Sequence, residues 1–227
     1  MQNQNPIKNK TLLFCLIGKS GTGKDSILRG LKSLNLPIKY LIPTTTRQSR
    51  TGEKNGSDYW FKTLDEFREM SLNGAFADIL TVNVYDKGTD NTNVSYYGYP
   101  RPIENEASIL LCPWKIFLSI KKSELAHGYT TIPIYVDVDS VERLYRLIIR
   151  ETNNTNHKYK EVARRFVADE EDFPHTATVK TIIAECSGLY LYNQDLDISV
   201  KSAANFIERT MLDYKMDKWR IQRHGVQ

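Results

Sequence analysis

Gly18-Lys19-Ser20-Gly21-Thr22-Gly23-Lys24-Asp25 follows the apolar run Thr11-Leu12-Leu13-Phe14-Cys15-Leu16-Ile17 and leads into Ser26-Ile27-Leu28-Arg29-Gly30-Leu31-Lys32. The order is buried strand, glycine-rich turn, helix, and that context makes the stretch a phosphate-loop candidate. Glycines let the backbone curl so that successive N–H groups point at one anion. The helix N-terminus adds partial positive charge. Lys24 brings a full charge, long enough to reach the β- and γ-phosphates of ATP. The reading therefore assigns the ATP phosphates to Gly18, Ser20, Gly21, Thr22, Gly23, Lys24, Asp25 and Ser26. The position after the lysine, where a hydroxyl residue is usual, holds Asp25. A carboxylate is a hard oxygen ligand suited to Mg²⁺, so Asp25 is the candidate metal ligand.

Working outward, composition sets bounds. The chain has 227 residues, enough to bury a full core. Its hydrophobic fraction of 41% and charged fraction of 26% are those of an ordinary globular protein. The net charge of +4 suits an anionic substrate and does not call for a nucleic acid. No apolar run is long enough to span a bilayer, so no membrane partner is expected. Met1 to Lys10 is polar, unlike a signal peptide, and reads as a disordered leader. The three cysteines are scattered and without metal spacing, which reads as buried thiols in a reducing, cytoplasmic setting.

Along the chain, strands alternate with helices: a helix over 24–35, a short strand over 38–42, apolar strands over 107–112, 131–136 and 189–192, and helices between them. That alternation predicts a parallel sheet covered on both faces. Residues 43–100 interrupt it. Thr63-Leu64-Asp65-Glu66 is a capping box opening a helix that stops at Asn73-Gly74. Phe76 to Val84 alternates like a strand, and Tyr85 to Ser95, rich in Asn, Asp, Gly and Thr, reads as a long exposed turn. Asp139-Ser140 caps a helix bearing Arg143, Arg146 and Arg150, the last two on one face. The polar tip Glu151 to His157 and a second helix with Arg164 and Arg165 follow, an arrangement that describes a lid. A last helix over 200–214 precedes a basic tail through Gln227.

Together these residues resemble the guanylate kinase family. Thr45-Thr46-Arg47, Arg50, Gly52-Glu53, Gly56 and Asp58-Tyr59 fall in the order of that family's TTRxPRxGExxGxDY segment. Tyr97-Gly98 resembles its YG(S/T) element, and Tyr192-Asn193-Gln194-Asp195-Leu196 its VNDDL element. The resemblance covers about residues 10–212 and implies a three-layer α/β P-loop NTPase fold. Its parts would be a parallel core over 11–42 and 101–212, a mixed α/β lobe for a nucleoside monophosphate (NMP) over 43–100, a helical lid over about 146–166, and a basic tail over 213–227. It implies ATP and Mg²⁺ as cofactors, and phosphoryl transfer to an NMP, GMP or dGMP first. It implies that Arg47, Arg50, Tyr59 and Tyr97 grip the acceptor's phosphate, that Asp78 falls at the base-reading carboxylate, that Lys24, Arg146, Arg150 and Arg165 neutralise the transferring group, and that Asn193 meets adenine. The partners implied are the NMP and ATP, in a monomer or homodimer.

The departures gather around the base. Asp78 is one methylene shorter than the family's glutamate, Tyr99 stands for a Ser or Thr, Pro43 for a serine, and Leu111-Cys112-Pro113 for an Asp-x-Asp pair. Phosphate contacts are kept while base contacts change, which opens a second reading: another or modified (d)NMP, or a ribose phosphate such as ribose 1,5-bisphosphate. A third is a non-catalytic phospho-binding module. Retention of Gly18, Gly23 and Lys24 argues against it.

Overall fold

The computed structural model describes residues 11–49, 52–86, 91–152 and 159–224. The leader, Arg50, most of the lid tip and the end of the tail lie outside the described residues. The elements in order are β1 (Thr11–Ile17), α1 (Lys24–Ser33), β2 (Lys39–Leu41), β3 (Thr44–Thr45), β4 (Trp60–Phe61), α2 (Leu64–Leu72), β5 (Phe76–Asp86), β6 (Asn91–Pro100), β7 (Ala107–Leu111), α3 (Trp114–His127), β8 (Tyr129–Asp137), α4 (Ser140–Thr152), α5 (Tyr159–Asp172), α6 (Thr176–Glu185), β9 (Leu189–Tyr192) and α7 (Leu196–His224).

Five strands form one sheet in the order β2-β7-β1-β8-β9, and four form a second in the order β4-β3-β6-β5. The β2–β7 and β8–β9 pairs of the first sheet are parallel, with Tyr40 opposite Ile109 and Tyr135 opposite Tyr190. Every residue of β1 is buried, which is why it reads as an unbroken apolar run rather than an alternating one. The second sheet is mixed: β3 runs parallel to β4 and antiparallel to β6, and β5 is antiparallel to β6. By packing, residues 1–13 and 39–131 make one compact unit and residues 14–38 and 132–227 another.

In the first unit, Thr63 accepts from the Glu66 amide and the Glu66 carboxylate accepts from the Thr63 amide, closing the capping box of α2. Phe67 of that helix stacks on Phe76 of β5 at 4.8 Å between centroids. Gly98 lies under the same ring, where a Cβ would come within 2.5 Å of Phe76, so only glycine fits there. Within the expected long turn over 85–95, residues 85–86 and 91–95 are strand and 87–90 lie outside the described residues: Tyr85 pairs with Thr92 and Asp86 with Asn91. Ladder hydrogen bonds to a facing strand outweigh the poor strand propensity of Asn and Asp. α3 ends on Gly128 in the left-handed conformation, as a helix C-terminus favours.

In the second unit, Ile27 and Leu31 bury the inner stripe of α1 at the helical repeat. Gly30 lets Val200 of α7 approach so closely that a Cβ would meet it at 2.5 Å. Phe14 and Phe206 meet edge to face at 6.4 Å, and burying a ring of this size contributes about 1.5–3 kcal/mol. The last helix starts at Leu196, four residues earlier than its hydrophobic pattern suggests, and continues into the basic segment read as a tail, ending at His224. The Lys- and Arg-rich sequence there has good helix propensity although it lacks a clear apolar stripe.

Candidate functional site

The glycine-rich turn lies wholly in the second unit. Gly23 is the N-cap of α1 with φ 90°, a left-handed conformation that other residues adopt only under strain. A Cβ there would also strike the Asn193 amide nitrogen at 2.4 Å. Gly18 passes so close to β8 that a Cβ would meet the Val136 carbonyl oxygen at 2.5 Å. The turn is braced from within and without. The Thr22 hydroxyl donates to the Lys19 carbonyl at 2.9 Å, and Lys24 Nζ donates to the same oxygen at 3.2 Å. Asn193, buried at the end of β9, donates through Nδ2 to the Thr22 carbonyl at 2.7 Å. Arg146 Nη2 donates to the Asn193 carbonyl at 3.1 Å, and Arg146 Nε to Glu142 at 2.8 Å.

Asp25 is exposed in the first turn of α1 and has no hydrogen bond among the described residues. Ser26 Oγ accepts from Arg29 Nη2 at 3.0 Å. Asp25 thus presents an unengaged carboxylate at this helix start. Among the described residues no cluster of His, Cys, Asp and Glu forms a larger cage. One carboxylate beside phosphate oxygens and water is a normal Mg²⁺ arrangement, so the residues present fit that ion. Arg150 is exposed near the end of α4, and Arg165 is half-buried on α5.

Four acidic or basic side chains near the turn were not assigned a role from sequence: Lys19, Arg143, Asp169 and Glu170. The Ser20 amide donates to Asp169 Oδ2 at 2.6 Å, and Lys19 Nζ pairs with Glu170 at 2.8 Å. Arg143, 1% exposed, pairs with Asp169 at 3.2 Å and with Glu170, and its guanidinium lies 4.0 Å over the Phe166 ring. A lone arginine on an amphipathic helix gives no sign of burial in the sequence; only the facing acids on α5 do. A cavity of about 400 Å³ is lined by Lys19 of the turn together with Tyr135, Asp137, Arg143, Lys180 and Tyr190 among others. Burial, and then the hydrogen bond to Asp137, push the Tyr190 hydroxyl well above its usual pKa, so it stays a proton donor to that carboxylate.

The Thr45-Thr46-Arg47 segment lies in the first unit. Arg47, 9% exposed, is gripped at every turn. Its Nη1 and Nη2 donate to the two Glu53 oxygens at 2.9 Å each, a bidentate fork. Nη1 also donates to the Gln48 carbonyl at 2.6 Å, and Nε to the Tyr97 hydroxyl at 3.1 Å. Of five N–H groups, one on Nη2 is left without a partner among the described residues. The guanidinium rests 5.4 Å from the Tyr59 ring and 5.7 Å from Phe61, and Tyr59 meets Tyr97 edge to face at 5.9 Å. Burial works against the charge on Arg47, but the bonds to Glu53 and Tyr97 more than offset it and hold the pKa above normal. Glu53 thus orients the arginine. It stands in the quoted motif, yet no spacing rule marks it as Arg47's partner.

The rest of that motif builds the loop. Asp58 accepts from the Lys54 amide at 2.8 Å, Asn55 from the Phe61 amide at 2.9 Å, and the Gly56 amide donates to the Tyr59 carbonyl at 2.8 Å. Asp78 sits directly opposite Tyr99 across β5 and β6. Tyr99 is 4% exposed, and its hydroxyl has no hydrogen bond among the described residues. Burial, with Tyr59, Cys112, Tyr97 and Asp78 nearby, raises its pKa well above normal, so it presents a neutral O–H. Cys112 is 1% exposed.

A sequence profile described as guanylate kinase matches residues 10–210. The chain belongs to the guanylate kinase family. It is 34% identical to the guanylate kinase of Rickettsia felis over 155 residues, 65% of this chain and 73% of that protein. It is 27% identical to the guanylate kinase of Caldanaerobacter subterraneus over 228 residues, covering 97% of this chain and 99% of that one. The solved structure of guanylate kinase from Anaplasma phagocytophilum superposes with a TM-score of 0.54 at 18% identity, over 89% of this chain and 87% of that one, a likeness of fold. Within this guanylate kinase frame the core sheet is the parallel P-loop NTPase layer. Among the described residues no helix is long and apolar enough to cross a membrane.

Proposed function

We propose that this chain transfers the γ-phosphoryl group of ATP to GMP or dGMP, giving GDP or dGDP. The observation that supports it most is the pairing of an intact glycine–lysine turn with an oriented, charge-stabilised arginine in the Thr45-Thr46-Arg47 segment. One cradle takes a triphosphate and the other a monophosphate. In this reading residues 43–100 are the acceptor lobe, 11–42 and 101–212 the core, and about 146–166 the lid.

The turn N–H groups other than that of Ser20, which Asp169 holds, and Lys24 bind and orient the ATP phosphates. Asp25 would hold Mg²⁺, which supplies neutralising charge on the β- and γ-oxygens. Arg47, with Arg50, Tyr59 and Tyr97, holds the acceptor phosphate through the one Nη2 hydrogen that Glu53 leaves open. Asp78 accepts from the base's N–H groups, and Asn193, its Nδ2 already committed to Thr22, offers Oδ1 to the adenine amino group. Arg146, Arg150 and Arg165 neutralise charge that develops on the transferring group.

A coupled assay for ADP release with GMP and dGMP tests this. Lys24→Ala abolishing turnover supports it. Binding of a monophosphate without any turnover would favour the phospho-binding module instead. Tyr99 and Cys112, where the family pattern has a small hydroxyl residue and carboxylates, favour one second reading: another (d)NMP or a ribose phosphate as acceptor. Turnover of such an acceptor with GMP and dGMP inert would replace the first reading with the second.

A further inference from the structure

We propose that Asp169 is a positioning residue that ties the phosphate loop to the lid-side helix α5, with Arg143 holding its charge. The inference rests on the ATP-dependent reading above. In a phosphate loop, backbone N–H groups are the anion receptors. Here one of them, at Ser20, is occupied by the chain's own carboxylate, Asp169 Oδ2 at 2.6 Å. That is a short, charge-assisted bond, so the first turn of the loop is pinned rather than left to close on a ligand.

A carboxylate beside a triphosphate would ordinarily repel it. Arg143 Nη1 lies 3.2 Å from the same Oδ2, and Arg143 is buried over Phe166, so the negative charge is met locally. Glu170 completes the bracket by joining Arg143 to Lys19 Nζ at 2.8 Å. Two consecutive loop residues, Lys19 and Ser20, are therefore held by two consecutive α5 residues. Phe166, Asp169 and Glu170 share a face of α5 at helical spacing, and Arg165 stands one turn before Asp169 at i,i+4. The lid-helix arginine is thus carried on the same rigid segment as the pin. Asp169 fixes how far Arg165 stands from the loop that holds the γ-phosphate.

The experiment is steady-state kinetics of Asp169→Ala and Asp169→Asn with ATP and GMP each varied, alongside ATP titration of the free proteins. Asparagine keeps an oxygen that can accept from the Ser20 amide, so D169N should stay within about threefold of the parent. D169A should lower kcat about 10- to 100-fold and weaken ATP binding, while the GMP KM stays within about twofold, because an ångström of misplacement costs on that scale. A purely structural role would move both KM values together with the melting temperature, and that outcome overturns the proposal. So does D169A behaving like the parent, or D169N failing as badly as D169A. If D169A does not fold, parent-like kinetics of D169N supports the proposal and impaired kinetics overturns it. If the parent turns over no guanine acceptor, the functional reading fails, and the ATP titration of both variants still decides the pin.

Discussion

Asn193→Ala separates two roles that one residue could play. Its Nδ2 donates to the Thr22 carbonyl at 2.7 Å, and both residues are buried, Thr22 fully. Truncation leaves that carbonyl unsatisfied where water cannot easily reach, a cost of about 1–3 kcal/mol. For a protein of this length each kcal/mol shifts the melting temperature by about 2–4 °C, so a fall of roughly 2–12 °C is expected. If the cost is felt by the loop conformation that binds phosphates, ATP affinity drops about 5- to 150-fold. The assay is thermal melting plus initial rates with ATP and with GTP as donor. An anchor acts through the loop, so both donors should lose by the same factor. A loss confined to ATP, with melting unchanged, would refute the anchoring argument and make the residue a base contact only.

Arg47→Lys keeps the charge but loses the fork to Glu53, so the GMP KM should rise about 10- to 100-fold with the ATP KM little changed; equal losses for both ligands would argue against the acceptor lobe. Tyr99→Phe removes an O–H that has no hydrogen bond among the described residues, opposite Asp78, and should lower kcat/KM for the preferred acceptor by about tenfold at constant ATP KM, read in a comparison of monophosphates. Thr63→Ala removes the N-cap of α2 and should cost about 1 kcal/mol in denaturant melting. Glu66 in the same box is held down to a pKa of about 2, first by Lys62 and then by the Thr63 amide. Its folded pKa lies below the unfolded one, so its stabilisation is full above about pH 4.5 and fades as pH falls toward 2. The melting difference between the parent and Glu66→Gln should therefore shrink over that window, and a difference independent of pH would count against the capping-box account.

Much of the fold was legible in the chain because it follows from local chemistry. The apolar run Thr11–Ile17 could only be a strand buried on both faces. The glycine turn after it could only lead into a helix. Thr63 and Glu66 announced α2, as a capping box does. Where local chemistry is silent, composition misleads. Residues 85–86 and 91–95 have turn-like composition but lie in strands, because a partner strand offers ladder hydrogen bonds that composition does not register. The helix from Leu196 runs through a charged segment with no stripe to mark it.

The sequence by itself determined which groups this chain could offer to phosphate under the proposed function: Lys24 behind three glycines, Arg47 after two threonines, and arginines spaced along α4. Those are short-range facts, since spacing along a strand, turn or helix sets where a side chain can point. Only the tertiary structure decided what holds them. Glu53 clamps Arg47 from six residues away across a loop, Asn193 reaches back to Thr22, and Asp169 reaches back to Ser20. Such partners are far apart in the chain or joined by an irregular loop, so no periodicity records them. They exist because a buried charge or carbonyl must be satisfied by whatever the fold brings alongside it.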